Sequence, residues 1–116
     1  MNQLIKLVQI WAENRNLISG STPKTQMIKL MSEVGELADD INKQADPTDS
    51  IGDCLVVLTI LAAQHNITLL DCLAHAYDQI KDRKGIMLDG VFIRDTDPQY
   101  PGALALLANR HQGAQP

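Results

Sequence analysis

The segment from Ile51 to Ala63 is apolar on every side when it is drawn as a helix, and this feature constrains the fold most. Asp46 precedes it as the natural capping residue, and Pro47 follows as the expected first residue of the helix. A helix without a polar face has to be covered from several directions. The pattern therefore predicts a central helix, covered by its neighbours or in part by a second subunit.

Three further helices are predicted around this one. The first covers about Gln3–Asn14, the second begins at Thr22-Pro23 and ends near Lys43-Gln44, and the fourth begins at Thr68. The second helix carries a stripe of apolar residues that we expect to face the core: Met27, Leu30, Met31, Val34, Leu37, Ala38 and Ile41.

The segment after the fourth helix changes character. Asp89-Gly90 lies between two apolar triplets, which predicts a short β-hairpin over residues 85–93. Beyond Arg94 the chain is rich in proline and glycine, with one possible short helix at Ala103–Asn109. The sequence thus predicts an all-α, four-helix domain with a terminal hairpin over residues 1–94, followed by a C-terminal tail over residues 95–116.

Composition and charge argue against several classes of function. A net charge of −4 argues against a nucleic-acid or anionic-membrane surface, both of which require a basic patch. Cys54 and Cys72 fit reduced thiols in a cytoplasmic protein, and we expect no signal peptide and no transmembrane segment. A chain of 116 residues with an all-apolar helix predicts a homo-oligomer, either a dimer or a dimer of dimers.

Acidic residues border the apolar segments of the second and third helices. Glu33 and Glu36 are three residues apart and share a helix face, which Asp40 continues. Taken alone, this spacing is typical of a solvated acidic face. Asp53 is different, because it lies two turns into the apolar third helix, where a carboxylate needs a partner.

Two kinds of partner for Asp53 are compatible with the sequence. One is a basic side chain such as Lys29 or Lys81, and the other is a magnesium ion shared with Glu33 and Glu36. Asp49 and Ser50 lie one turn before Asp53, so either side chain could complete such a site.

Other residues have both a structural and a functional interpretation. Asp78, Lys81 and Lys84 lie near the end of the fourth helix, where cations either favour the helix terminus or bind phosphate oxygens. Trp11 either packs in the core or stacks on a base.

Four motifs in this order resemble the MazG-like branch of the all-α nucleoside triphosphate pyrophosphohydrolases. They are Thr22-Pro23-Lys24-Thr25-Gln26, Lys29-Leu30-Met31-Ser32-Glu33-Val34-Gly35-Glu36-Leu37, Asp49-Ser50-Ile51-Gly52-Asp53, and Ile80-Lys81-Asp82-Arg83-Lys84-Gly85 with the following hairpin. The resemblance implies a Mg²⁺-dependent enzyme that cleaves the α–β phosphoanhydride of a nucleoside triphosphate, releasing a monophosphate and pyrophosphate.

The resemblance also implies roles for individual residues. Glu33, Glu36 and Asp53 match the family's metal ligands, while the fourth ligand, usually a glutamate, falls on Ser50, and Asp49 is expected to compensate. The expected catalytic residues are Glu33, Glu36, Lys29 and Lys81, and the expected substrate-binding residues are Trp11, Gln26, Lys29, Asp78, Lys81 and Lys84.

Two alternatives come from other functional classes. Ser50 in place of an acid is compatible with a nucleotide-binding or regulatory module that has lost turnover. The helical pattern alone is also compatible with an interaction bundle that binds no metal.

Overall fold

The computed structural model of the chain describes residues 2–114, with side chains described as far as residue 111. The elements in chain order are α1 (Asn2–Asn14), α2 (Pro23–Asn42), α3 (Thr48–Gln64), α4 (Leu69–Ile80), β1 (Gly85–Leu88), β2 (Val91–Arg94) and α5 (Tyr100–Ala114). The described chain divides within α4 into a first unit up to residue 76 and a second unit from residue 77. The mostly helical fold agrees with the prediction.

Helix α3 is the central helix of the first unit, as predicted. It packs against both α1 and α2, and it buries Cys54, Val57, Ile60 and Ala62. Its one buried threonine, Thr59, is compatible with this environment because its hydroxyl donates to the carbonyl oxygen of Leu55 at 2.7 Å.

Helices α2 and α3 begin at or within one residue of the positions that the sequence predicts. Thr22 caps α2 by accepting the Thr25 N–H at 3.1 Å. Helix α3 begins at Thr48 rather than at Pro47, and the Asp46 carboxylate accepts both the Thr48 N–H and the Thr48 hydroxyl. A single aspartate therefore organises the loop between α2 and α3.

Helix α2 turns a different face to α3 from the one we expected. Its buried residues are Gln26 and Glu33, whereas most of the apolar stripe is exposed, with Met31 66% accessible. Leu30 and Leu37 supply the half-buried apolar contacts on the inner face. A short loop joins α2 to α3, and α3 packs on the side of α2 that carries the acids, so the apolar stripe is left at the surface of the single chain.

The second unit contains the predicted hairpin and a longer helix than predicted. Strands β1 and β2 pair antiparallel with Leu88 opposite Val91, and Asp89 and Gly90 both take positive φ in the turn. The expected count of four helices was wrong for the chain, because α5 covers 15 residues instead of a short stretch at Ala103–Asn109. Pro101 is tolerated because it lies in the first turn, where its missing N–H breaks no helical hydrogen bond.

Among residues 2–114, no single helix has both the length and the apolar character needed to cross a membrane. Taken together, helices α3 and α4 are long and apolar enough, but the chain bends sharply between them.

Candidate metal centre

Three carboxylates from two helices meet on the inner side of α2. Glu33 and Glu36 are one turn apart on α2, and Asp53 comes from the second turn of α3. One oxygen from each side chain can be chosen so that all three lie within 4.8 Å of one another. Carboxylate oxygens from two rigid helices are the donors that hard divalent cations prefer. The juxtaposition that the sequence predicted for these three residues is present.

Glu33 is the buried member of the cluster, with only 7% of its surface accessible. Its Oε1 forms an ion pair with Lys29 Nζ at 3.0 Å, one turn earlier on α2. Its Oε2 is buried and has no hydrogen-bond partner among the described residues. A buried carboxylate oxygen without a partner is costly, and a cation shared with Glu36 and Asp53 would satisfy it.

The three carboxylates perturb one another electrostatically. Hydrogen bonding to Lys29 lowers the pKa of Glu33, whereas the neighbouring Glu33 carboxylate raises the pKa of Glu36. The pKa of Asp53 is raised, first by burial and then by the charges of Asp49 and Glu33. The neighbouring negative charges that raise the pKa of Glu36, and in part that of Asp53, would be offset by a bound cation.

A basic partner for Asp53 was the alternative interpretation. In the part of the chain with described side chains, the ion pairs are Lys29 with Glu33, Lys81 with Asp78, and Arg110 with Asp89. Asp53 takes part in none of them. The half-buried carboxylate of Asp53 therefore fits a metal ligand better than one half of an ion pair.

The two candidates for a fourth ligand behave differently. Asp49 is exposed and lies outside the group of three, although its charge contributes to the raised pKa of Asp53. Its expected role as a ligand stays a prediction. Ser50 is buried, and its hydroxyl donates to the carboxylate of Asp40 near the end of α2.

This link between α2 and α3 was missed from the sequence. Asp40 was placed on the acidic face, and Ser50 was considered only as a weak ligand. The sequence did contain one indication of this contact. Asp40 follows Glu33 by seven residues, so both lie on the same face of α2.

An open cleft adjoins the carboxylates between α1, α2 and α3. Its volume is about 370 Å³, and it is lined by Trp11, Leu17, Thr25, Gln26, Lys29, Glu33, Asp53, Val56, Val57 and Ile60. Three residues expected to bind substrate, Trp11, Gln26 and Lys29, thus line the same cleft as two of the expected metal ligands.

Trp11 and Gln26 are held in different ways within this cleft. Trp11 is 43% accessible, so it is not a core residue of the single chain, and the Arg15 guanidinium lies 4.6 Å from the centre of its ring. Gln26 is buried, and its Nε2 donates to the Ser21 hydroxyl at 2.9 Å. A partly exposed indole and a buried amide that line the same cleft are a combination that suits a planar, polar ligand.

The remaining predicted substrate residues belong to the second unit. Lys81 Nζ pairs with Asp78 Oδ1 at 2.7 Å, three residues earlier, and Lys84 is exposed. The roles assigned to Asp78, Lys81 and Lys84 in binding phosphate stay predictions.

The fold and the site define a helical domain with a carboxylate cluster of metal-binding type beside a ligand-sized cleft. A family model described as the MazG nucleotide pyrophosphohydrolase domain matches residues 21–87, which include all three clustered carboxylates. Because that match covers more than half of the chain, the chain belongs to the MazG nucleotide pyrophosphohydrolase domain family.

The chain is also similar to an uncharacterized 18.2 kDa protein from the rep-hol intergenic region of Haemophilus phage HP1. The two are 54% identical over 69 residues, which make up 58% of this chain and 42% of the phage protein. The chain therefore matches less than half of the length of that relative. No solved structure gave a significant match.

Proposed function

We propose that this chain is a Mg²⁺-dependent nucleoside triphosphate pyrophosphohydrolase that cleaves the α–β phosphoanhydride to give a nucleoside monophosphate and pyrophosphate. Membership of the MazG family supports the reaction class. The observation that carries the proposal is the buried, unpartnered Oε2 of Glu33 within a cluster of three carboxylates beside an open cleft.

Glu33, Glu36 and Asp53 are the residues that would hold the cation. A cation held there would supply positive charge that offsets the phosphates and favours loss of a proton from water. Water attacks one of the two phosphorus atoms that flank the α–β bridging oxygen, and one phosphorus–oxygen bond of the bridge breaks. The departing phosphate group leaves with the electron pair of that bond. Glu36 is the proposed acceptor of the water proton, because it is the exposed member of the cluster, whereas Glu33 is buried and paired with Lys29.

The cleft residues provide substrate binding in this proposal. Lys29 is placed to offset charge on the phosphates, since its ammonium group lies at the cluster and at the cleft. Trp11 offers an aromatic face for the base, and Gln26 offers a polar contact at the same cleft. Lys81 and Lys84 are proposed to bind phosphate oxygens, and Asp78, which forms an ion pair with Lys81, is proposed to assist.

We also propose that the chain works as a homo-oligomer in the cytoplasm. Large apolar side chains of α1 and α2 are exposed in the single chain, namely Leu4, Leu7, Ile10, Met27, Ile28, Met31, Val34 and Ile41. A surface of this kind is uncommon on a stable monomer and typical of an interface between subunits.

The direct test is to incubate the purified chain with Mg²⁺ and each nucleoside triphosphate, including deoxy and damaged forms, and to measure pyrophosphate and monophosphate. We expect both products in equal amounts from at least one substrate. Glu33→Gln and Asp53→Asn should each reduce turnover by at least about 100-fold, with Asp39→Asn as the control for loss of one exposed acid on α2. Inorganic phosphate as the product would contradict the assigned bond. Nucleotide binding without turnover would favour the impaired regulatory module, and absence of both nucleotide and cation binding would favour the interaction bundle.

A further inference from the structure

The loop between α1 and α2 supplies part of the wall of the cleft. It covers residues 15–22 and contributes Leu17 to the lining. At the end of the loop, the Ser21 hydroxyl accepts a hydrogen bond from Nε2 of Gln26, which is another lining residue. Gln26 precedes Glu33 by seven residues, which is about 10 Å along the axis of α2. The loop therefore meets the cleft through uncharged side chains and at a distance from the carboxylates.

This loop is tightly packed against itself. The Leu17 N–H donates to the carbonyl oxygen of Ala12 at 2.9 Å. The Gly20 N–H donates to the carbonyl oxygen of Asn16 at 3.1 Å, and a β-carbon at position 20 would lie 2.5 Å from that oxygen, so the turn has room only for glycine there. Because the turn is compact, we expect it to keep its internal shape. Its place in the cleft wall then depends on what ties it to α2 and α3.

The tie to α3 comes from Gln64 at the end of that helix. Its Nε2 donates to the carbonyl oxygen of Ile18 at 3.2 Å, and the two residues are 46 positions apart in the sequence. The other polar atom of the amide, Oε1, is buried and has no hydrogen-bond partner among the described residues. Burying a polar atom without a partner costs at least as much free energy as one hydrogen bond supplies in net terms. The amide is therefore expected to add little to stability, and its main effect is on where the loop lies.

We infer that Gln64 is a positioning residue that fixes the α1–α2 loop as the wall for the nucleoside part of the substrate. The inference rests on the proposed function, because it assumes that the cleft binds a nucleoside triphosphate with its phosphates at the carboxylates. The sugar and base of such a substrate extend away from the phosphates, towards the uncharged lining that the loop helps to form. Ser21 supports the same wall by holding Gln26.

This role predicts which kinetic constant responds to a change in the loop. The base and the sugar do not react, so their contacts are equally strong in the ground state and in the transition state. Loss of such contacts raises KM and leaves kcat unchanged. The clustered carboxylates come from α2 and α3 rather than from the loop, so cation affinity should not respond.

A purely structural role for Gln64 makes different predictions. Methionine has a similar length, and it removes both the hydrogen bond to Ile18 and the unpartnered oxygen. If the bond mainly stabilises the chain, Gln64→Met should lower the melting temperature and leave KM unchanged. If it positions the loop, the melting temperature should stay close to that of the wild type while KM rises. Gln3→Met, at an exposed position of α1 that does not line the cleft, is the matched control.

The test combines steady-state kinetics, thermal melts and Mn²⁺ titrations of the full chain. The kinetics use Mg²⁺ with the common ribonucleoside and deoxyribonucleoside triphosphates, and free Mn²⁺ is measured by electron paramagnetic resonance. For the substrate with the highest wild-type kcat/KM, we expect Gln64→Met to raise KM about fivefold, while kcat and Mn²⁺ affinity change by less than about twofold. Gln3→Met should match the wild type.

Several outcomes of this test would overturn the inference. One is an unchanged KM in Gln64→Met, and another is an equal increase of KM in Gln3→Met. A parallel loss of Mn²⁺ affinity would show that the change reaches the carboxylates. Failure of Gln64→Met to fold would show that the amide is needed for stability.

Inorganic pyrophosphate separates the nucleoside part of the substrate from its phosphates. As an inhibitor it reports on phosphate binding alone, because it has no base and no sugar. Its inhibition constant should therefore be the same for the wild type and Gln64→Met. If pyrophosphate and the nucleotide lose affinity equally, the loop acts on the phosphates and the inference is wrong.

Ser21→Ala tests the same wall at its tie to α2. It removes the oxygen that accepts the Gln26 amide, and it should raise KM without changing Mn²⁺ affinity. Ser19→Ala removes a hydroxyl from an exposed residue of the same loop and should change neither measurement. Equal KM values for these two variants would overturn the assignment of the loop as a substrate wall.

Failure of the proposed function is visible in the same experiments. Absence of pyrophosphate release by the wild type from every triphosphate, with Mn²⁺ bound, would overturn both proposals. Turnover that depends on Glu33 but has the same KM in the wild type and in Gln64→Met would overturn this inference alone.

Discussion

At the scale of single residues, the site depends on the different surroundings of the two carboxylate oxygens of Glu33. One oxygen forms an ion pair with Lys29, and the other is buried without a partner. The ion pair lowers the pKa of Glu33, so this carboxylate is ionised and available as a ligand. Lys29 thus balances the charge of Glu33 in the chain without a metal, and it lines the cleft where we propose that the phosphates bind.

Lys29→Met separates these two roles. Without the ammonium group, no positive charge near Glu33 repels a bound Mn²⁺ ion, so we expect Mn²⁺ affinity to rise. The rise should be modest, because the Lys29 side chain is more than half exposed and its charge is screened by water. Turnover should nevertheless fall by about 100-fold or more, because the phosphates lose a charged contact in the transition state. Mn²⁺ titration and pyrophosphate release measured on the same samples check the prediction.

Lys24→Met is the control for this prediction. Lys24 lies in the first turn of α2, is exposed, and does not line the cleft. Its loss should change neither measurement. A parallel decrease of affinity and turnover in Lys29→Met would instead show that Lys29 only maintains the shape of the cluster.

At the scale of elements, α2 shows what the sequence can and cannot predict. The helix, its Thr22 cap and the shared face of Glu33 and Glu36 were predicted from spacing. A site shared with Asp53 was one of two interpretations of the residues and was implied by the family resemblance. The orientation of α2 was not predicted, because a helix with both an apolar stripe and an acidic stripe has two candidate inner faces. Periodicity shows that both stripes exist, but only the packing partner determines which one is buried.

The same reasoning explains the other differences between sequence and structure. The Ser50–Asp40 contact joins two helices, and spacing within one helix gives no information on which residues of another helix it meets. Helix α5 was underestimated because Pro101 and Gly102 were taken as helix breakers, although proline in a first turn is compatible with a helix. Local signals were therefore reliable for helix starts and for the Asp89-Gly90 turn, where the chemistry is itself local.

The exposed stripe of α2 leads to a prediction about assembly. Met31→Lys places a charge in the middle of this stripe, and it should convert the oligomer to a smaller species because a buried lysine at an interface would lack a partner. Ser32→Lys is the matched control, since Ser32 is the next residue, is also exposed and does not belong to this stripe. Light scattering after size exclusion at micromolar concentration checks the masses. A wild-type monomer, or equal masses for both variants, would contradict an interface at this stripe.

At the scale of the whole molecule, the first unit contains the entire carboxylate cluster and the cleft. The predicted phosphate-binding residues Lys81 and Lys84 belong to the second unit. Cation binding is therefore expected to depend on the first unit. The buried core of the single chain is small, with eight buried apolar residues among those described, so charge within the first unit weighs heavily on stability.

Asp53 should make the metal-free chain less stable as pH rises. Its pKa in the folded chain is raised above the ordinary value of 3.8 by burial and by neighbouring acids. Between the ordinary and the raised pKa, the folded state binds more protons than the unfolded state, so stability falls with increasing pH in that interval. Asp53→Asn removes the titrating carboxyl and with it this dependence of stability on pH. In the metal-free state, the melting temperature of the variant should exceed that of the wild type at neutral pH.

This excess should shrink as pH is lowered through the raised pKa of Asp53, whereas the exposed-residue control Asp39→Asn should follow the wild type throughout. Saturating Mg²⁺ should reverse the order at neutral pH, because only the wild type retains the full ligand set and gains stability by binding. Thermal melts over a pH series, with Mg²⁺ or with a chelator, measure both effects. A variant that is less stable than the wild type in chelator at neutral pH would mean that Asp53 supports the fold instead of being held there at a cost for the sake of a cation.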